Sequence, residues 1–261
     1  MTKFILPLGL LVLNAACATH MYLPTNRFMS PEAQGKTWAT AMAAGAYSAV
    51  MMDPIQNIDV NPPVVYPPQL QKHSVPKIVL PSFDMGFGER FDLGLRFSLN
   101  ETPWILRAKY QVIGDPRRAA KAGNFSFALG AGMGNLNSGY TSWNWFNVSN
   151  STSGVMKRET EELYAGLGLR AIDAVLFYAD VTYSHHATGG SITKTSSQST
   201  SIAVFSGEGH ETAFHAGTHI YFRPGWPTGF FALEAAQTTV SWSHAEPFTY
   251  AAVGAALGLA L

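Results

Sequence analysis

The stretches Phe91-Asp92-Leu93-Gly94-Leu95-Arg96-Phe97-Ser98 and Trp104-Ile105-Leu106-Arg107-Ala108-Lys109-Tyr110-Gln111 alternate between apolar and polar residues. Successive side chains of a β-strand point to opposite faces, so each stretch has one apolar face and one polar face. Similar segments recur from Ile78 to Leu261, with connections of uneven length between them. This pattern predicts an all-β protein, an antiparallel transmembrane β-barrel with turns at one end and loops at the other.

The composition fits a barrel wall better than a soluble domain. Charged residues make up 13% of the chain, against about 25% in soluble domains, yet the mean hydropathy is only +0.05. A barrel accounts for both values because only every second residue of a strand faces lipid. The formal net charge is zero and the sequence has no basic stripe, so nucleic acid is not an expected partner.

Residues 1–16 have the features of a secretory signal peptide. Lys3 supplies a positive charge, and Phe4 to Leu13 form an apolar stretch. That stretch is too short to cross a bilayer as a helix. We therefore predict that the segment directs export and is then removed.

Cys17, the only cysteine, stands where two kinds of cleavage site overlap. Leu13-Asn14-Ala15-Ala16-Cys17 resembles a bacterial lipobox, which predicts lipidation of Cys17, although Asn14 departs from the usual small apolar residue. Ala16-Cys17-Ala18 is the alternative, an ordinary signal-peptidase site whose use would discard the cysteine. Neither outcome leaves a disulfide or a thiolate metal site.

The rest of the chain divides into a tether and a barrel. Residues 17–36 are polar and lack periodicity, and we predict a tether; residues 37–261 form the barrel. The segment from Thr37 to Met52 is rich in alanine and fits a strand or a buried helix equally well. Asp53 to Pro76 contains six prolines and predicts an extended loop.

With the first segment included, the pattern gives about ten strands. The others are predicted at Lys77–Gly88, Phe91–Ser98, Trp104–Ile113, Asn124–Gly134, Glu159–Arg170, Ala174–Ser184, Glu211–Phe222, Thr228–Val240 and Tyr250–Leu261. An even number places both chain ends on one side, the periplasmic side for an exported chain, where the connections are short. The long external loops are then Asp53–Pro76, Asn135–Arg158 and His185–His210, with a possible β-extension at Ser201–Ser206.

Residues 37–261 as a whole resemble the small bacterial outer-membrane β-barrel proteins. The hairpin Gly88-Glu89-Arg90-Phe91-Asp92-Leu93-Gly94-Leu95-Arg96 is similar to one common in that family. The resemblance implies a location in the outer membrane of a Gram-negative bacterium, contact with outer-membrane lipid, and insertion by the barrel-assembly machinery. The family usually ends in Phe or Trp, whereas this chain ends in Leu261.

The polar faces of the predicted strands hold glycine and a few charges, which predicts a polar lumen and a lipid-facing apolar exterior. The charged and histidine residues predicted to line the lumen are Asp92, Arg96, Arg107, Lys109, Arg170, Asp180, His215, His219 and Glu234. Because their signs are mixed, we predict a network of ion pairs that fills a narrow or plugged lumen. A selective pore for small solutes is the functional alternative, but about ten strands enclose little more than side chains.

Some stretches look like catalytic or metal-binding motifs, but their spacing does not fit. Neither a metal nor a cofactor is therefore predicted. His210-Glu211-Thr212-Ala213-Phe214-His215 has one residue too many for a zinc-protease motif and lies on a strand. His215 and His219 are about 13 Å apart on one strand face, too far to hold one ion. A barrel enzyme with a site at the external rim remains an alternative, built from His185, His186, Ser241, Ser243, His244 and Glu246.

We therefore predict a non-enzymatic outer-membrane barrel whose external loops serve surface interaction or adhesion. Trp143, Trp145 and Phe146 stand among Ser and Asn in one loop, where aromatic side chains suit contact with an external protein or surface ligand. They would equally suit insertion into the lipid headgroup region. A narrow channel and a soluble periplasmic ligand-binding barrel are the remaining alternatives.

Overall fold

The computed structural model describes residues 21–53, 69–97, 103–143, 151–195, 200–222, 227–243 and 246–261. All regular structure in these ranges is β, and they contain no helix long and apolar enough to cross a membrane. The strands are β1 Met21–Pro24, β2 Thr40–Asp53, β3 Gln69–Gly86, β4 Phe91–Arg96, β5 Trp104–Ile113, β6 Phe125–Trp143, β7 Ser151–Ile172, β8 Val175–Thr195, β9 Thr200–Tyr221, β10 Thr228–Trp242 and β11 Phe248–Ala260.

Strands β2 to β11 form a closed antiparallel barrel of ten strands. Each pairs with its neighbour in sequence, and β2 closes the cylinder by pairing with both β3 and β11. The terminal Leu261 donates to and accepts from the backbone of Thr40, at 2.8 and 3.1 Å, beside this seam. The prediction of an all-β barrel of about ten strands is therefore confirmed.

The alanine-rich segment that fitted a strand or a helix is a strand. Ala41–Ala46 of β2 pair with Ala255–Ala260 of β11 in antiparallel register. The alternation that supports a barrel wall is weak here because small side chains occupy both faces. Pairing with β3 and β11 decides the conformation, since each backbone N–H and C=O needs a partner when it leaves water.

Two of the predicted external loops are largely strand. β6 continues to Trp143 and pairs in register with β7, which begins at Ser151. β8 and β9 likewise pair as far as Thr195 and Thr200, so the expected β-extension is present. These Ser-, Thr- and Gly-rich stretches lack alternation, but each has a neighbouring strand that satisfies its backbone. Gln69–Pro76, predicted to be loop, also belongs to β3.

The two faces of the wall differ sharply in chemistry. Large apolar side chains are exposed on the outer face; Leu163, Phe214 and Val253 are 59%, 61% and 72% exposed. Charged side chains on the same strands, such as Glu162 and His215, are 3% exposed. The barrel is thus apolar outside and polar inside, the reverse of a soluble protein.

Gly134 of β6 lies so close to β5 that no side chain fits. A Cβ there would lie 1.7 Å from the backbone oxygen of Trp104. We expect Gly134→Val to separate β5 from β6 and to abolish most of the folded form, measured as the band that shifts on boiling in electrophoresis. Ala131→Val, on the exposed outer face of the same strand, is the matched control. Equal folding of the two variants would contradict the close approach.

Candidate functional site in the barrel interior

The amino-terminal segment from Leu23 to Gln34 is buried along its whole length. At one end, β1 pairs with Ala49–Met52 near the end of β2. At the other end, Trp38 N donates to Gly86 O at 2.9 Å, beside the turn between β3 and β4. The segment therefore runs through the barrel from one end to the other. The predicted tether is wrong for these residues, which we call the plug (residues 23–34).

The plug has little regular structure of its own, and side chains of the wall satisfy its backbone. The carboxylate of Glu234 accepts hydrogen bonds from Arg27 N and Phe28 N, both at 2.7 Å. Gln111 Oε1 accepts from Ala33 N at 2.7 Å. Irregular backbone in a closed interior needs such partners, since unpaired groups there cost about 1–3 kcal/mol each. The wall is thus chemically matched to the plug.

A charged cluster surrounds Arg27 in the half of the barrel nearer β1. Its guanidinium lies 3.3 Å from Glu211 and 3.4 Å from Glu162, and Arg96 approaches Glu162 to 2.9 Å. Arg27 lies outside the strands; burial by itself lowers its pKa, but Glu162 and Glu211 outweigh burial and hold that pKa above its ordinary value. The cluster therefore keeps the plug cation charged and paired on both sides.

A second cluster surrounds Glu32 in the other half. Arg170 engages both carboxylate oxygens of Glu32, and Asn124 donates to the same group at 3.1 Å. Lys109 Nζ lies 3.0 Å from Asp92 and donates to the backbone oxygens of Ser30 and Glu32. The plug is thus held by ion pairs at two heights of the lumen.

Asp180 and His215 resemble part of a catalytic dyad, but their contacts indicate a structural role. His215 Nδ1 lies 2.6 Å from Asp180 Oδ1, and Nε2 lies 2.8 Å from the backbone oxygen of Thr25. Both ring nitrogens are thus engaged, one by a wall carboxyl group and the other by the plug backbone. The ring therefore fastens the plug to the wall.

The described rim candidates for an enzyme lie on both faces of the wall. His186 is 1% exposed and contacts Arg158 and Thr160 through Nδ1, each at 3.0 Å. His185 lies on the opposite face, where its ring is 5.0 Å from that of His210. Ser243 Oγ accepts from the backbone of Glu208, and His244 lies outside the described residues.

All nine side chains predicted to line the lumen are buried, and most have polar partners there. The set is Asp92, Arg96, Arg107, Lys109, Arg170, Asp180, His215, His219 and Glu234. Arg107 pairs with Asp84 at 2.8 Å. His219 differs from the others, because its ring stacks on Phe230 with a centroid separation of 5.1 Å.

Sequence reasoning missed several members of these clusters. Residues separated by an even number of positions on a strand share a face. Glu162 is related in this way to Arg170, and Glu211 to His215, so the alternation rule alone could have found both. Arg158 and His186 lie in stretches predicted to be loops, where no alternation between faces is expected. Nothing in the sequence indicates that Arg27 and Glu32 are buried, because the plug has no periodic pattern of apolar and polar residues.

The remaining predicted site residues lie at or beyond the edge of the described structure. Trp143 ends β6, where its backbone pairs with Ser151. Trp145, Phe146 and Cys17 lie outside the described residues, so their predicted roles stay predictions. Within the described ranges, no group of three or more His, Cys, Asp or Glu side chains is placed to hold a metal ion.

Comparison of the chain with models of known protein families and with curated proteins finds no match. The class of protein is therefore defined by the fold and its interior alone: a closed ten-stranded β-barrel that contains its own amino-terminal segment.

The burial of the interior histidines makes a testable prediction. Diethyl pyrocarbonate, which modifies accessible imidazoles, is expected to modify exposed His210 at least about tenfold faster than His186, His215 and His219, because reaction of the buried rings requires local opening. Mass spectrometry of peptides from the folded protein measures this. After boiling, all four should react, which provides the control. Equal rates in the folded protein would contradict a filled lumen.

Proposed function

We propose that the chain is an integral β-barrel of the bacterial outer membrane, closed by its own amino-terminal plug and without catalytic activity. The observation that carries the proposal is the inverted chemistry of the wall. Apolar side chains cover the outside, while charges lie inside on paired partners. An apolar exterior of this kind is stable in contact with lipid, and a polar interior is usual for β-barrels of the bacterial outer membrane.

The extent of the exposed apolar surface supports a lipid environment around the barrel. Soluble monomers rarely expose continuous apolar patches above a few hundred Å². Here exposed apolar residues recur on neighbouring strands; they include Leu106, Leu129, Leu163, Leu167, Phe177, Phe214, Leu233, Val253 and Leu257. Aromatic side chains towards both ends of a strand are also exposed, as Trp104 and Tyr110 on β5 illustrate at 43% and 52%. Such aromatic rows suit the two membrane interfaces.

The plug favours a closed barrel over a channel. Its residues occupy the interior from Leu23 to Gln34 and are ion-paired to the wall at Arg27 and Glu32. Transport would require the plug to move, and each broken pair would leave a charge buried without its partner. A structural or binding role therefore fits better than conduction.

The binding surface would lie on the extended hairpins β6–β7 and β8–β9. β6 continues to Trp143, beyond Asn135, which pairs with Trp104 at the start of the neighbouring β5. β9 begins at Thr200, well before Gly209, which pairs with Trp242 at the end of the neighbouring β10. A projecting hairpin offers backbone edges and side chains to an external partner, and Trp143 stands at the tip of one of them. We propose that any recognition of a protein or surface ligand occurs there.

Membrane extraction tests the proposal. The full-length chain is expressed in a Gram-negative host, and its outer membranes are washed at alkaline pH and analysed by electrophoresis with and without boiling. A membrane barrel stays in the pellet and migrates differently after boiling. Release by the wash without a shift on boiling would overturn the proposal and indicate a soluble periplasmic barrel.

A further inference from the structure

The two ends of the plug lie at opposite ends of the barrel. Met21–Pro24 pair with Ala49–Met52, beside the connection from β2 to β3. Residues that follow the plug lie at the other end, where Ala39 O accepts from Gly86 N at 2.8 Å and Thr40 N donates to Leu261 O at 3.1 Å. Met21 therefore lies at the end of the barrel far from the carboxyl terminus.

The connections identify these two ends. The end that holds the carboxyl terminus carries short turns, including 87–90 between β3 and β4 and 173–174 between β7 and β8. The other end carries the projecting hairpins, whose last paired residues are Trp143 with Ser151 and Thr195 with Thr200. In bacterial outer-membrane barrels the short turns face the periplasm and the long connections face outward.

We infer that the mature amino terminus is displayed on the outer surface of the cell, and that the chain passes back through its own barrel to begin β2. The inference rests on the proposed membrane location. Cys17 precedes Met21 by four residues, which span at most about 14 Å. Under this inference, an acyl chain on Cys17 is expected on the outer side of the membrane, not on the periplasmic side where a tether would place it.

The contacts of the plug explain how this arrangement persists. Ion pairs at Arg27 and Glu32 fix it at two heights, and His215 holds the backbone of Thr25 between β1 and the rest of the plug. Sliding in either direction would separate both pairs at once and leave their charges buried without counter-ions. The position of the amino terminus thus depends on the plug and not on lipidation.

Single-cysteine labelling tests the inference. In a Cys17→Ser background, which has no other cysteine, a membrane-impermeant maleimide is applied to His20→Cys in intact and in permeabilised cells. Asn147→Cys in the β6–β7 connection is the external control, and Ala171→Cys beside the β7–β8 turn is the periplasmic control. Each variant is first shown to shift on boiling, so that only folded barrels are compared.

His20→Cys is expected to label to the same extent in intact and permeabilised cells, as Asn147→Cys does, whereas Ala171→Cys labels only after permeabilisation. If Asn147→Cys labels in intact cells but His20→Cys does not, the threaded arrangement is overturned while the membrane barrel stands. If neither labels in intact cells, the proposed orientation fails and the inference falls with it.

Discussion

Replacing residues 25–34 with a glycine–serine linker of equal length is expected to convert a closed barrel into an open pore. The interior is wide enough to hold the plug as well as the wall side chains, so it is wider than the number of strands alone predicts. A flexible linker without side-chain contacts would leave part of that space to water. Wall carboxylates such as Glu211 and Glu234 would then be hydrated, which offsets the loss of their plug partners. We expect the conductance of purified protein in planar bilayers to rise at least about tenfold, because the lumen changes from filled to hydrated.

A matched replacement controls for the effect of the linker itself. Residues 144–150 connect β6 to β7 outside the plug, and exchanging them for glycine and serine should leave conductance unchanged. Both variants must shift on boiling before they are compared. A plug variant that folds yet conducts no better than wild type would mean that wall side chains, and not the plug, close the lumen.

Glu32→Ala is expected to destabilise the barrel by about 3–5 kcal/mol, because it leaves the buried Arg170 guanidinium without its counter-charge. Denaturant titration in detergent, followed by the shift on boiling, measures the change. Glu159→Ala is the control: its pair with Lys157 is 58% exposed on each side, so its loss should cost less than about 1 kcal/mol. Equal losses would contradict the ion-paired plug.

A double substitution separates burial of charge from packing at this pair. Glu32→Met with Arg170→Met removes both charges and keeps similar volumes, and replacing a buried ion pair in this way is often close to neutral. We therefore expect it to recover most of the stability lost in Glu32→Ala. A double variant no more stable than the single one would mean that the cost comes from lost shape rather than from an unpaired charge.

The strands of the wall could be predicted from the sequence because apolar and polar residues alternate along them, with a repeat of two residues. An apolar outer face and a polar interior impose alternation on a strand, so Phe91–Ser98 and Trp104–Gln111 reveal both the strand and its two faces. Because every second residue shares a face, the polar positions Asp92, Arg107 and Arg170 are assigned to the interior, where they are buried. The hairpin extensions could not be predicted in this way because Ser, Thr and Gly occupy both faces there, and the alternation fades from the sequence.

The plug could not be predicted, for a different physical reason. Its burial depends on single matches between its backbone and wall side chains far away in sequence; Arg27 N and the Glu234 carboxylate are 207 positions apart. Neither partner carries a local signal that identifies the other. A polar stretch without periodicity is indistinguishable, in one sequence, from a tether in water.

Hydrogen–deuterium exchange of the folded barrel tests the central claim most directly. The amides of Arg27, Phe28, Ala33 and Gln34 donate to Glu234, Gln111 and Asp92 inside the lumen. If the segment is a plug, these amides exchange as slowly as those of the central strands, because exchange needs the interior to open. If they exchange within seconds while the strands stay protected, the segment is a tether and the barrel is closed by something else.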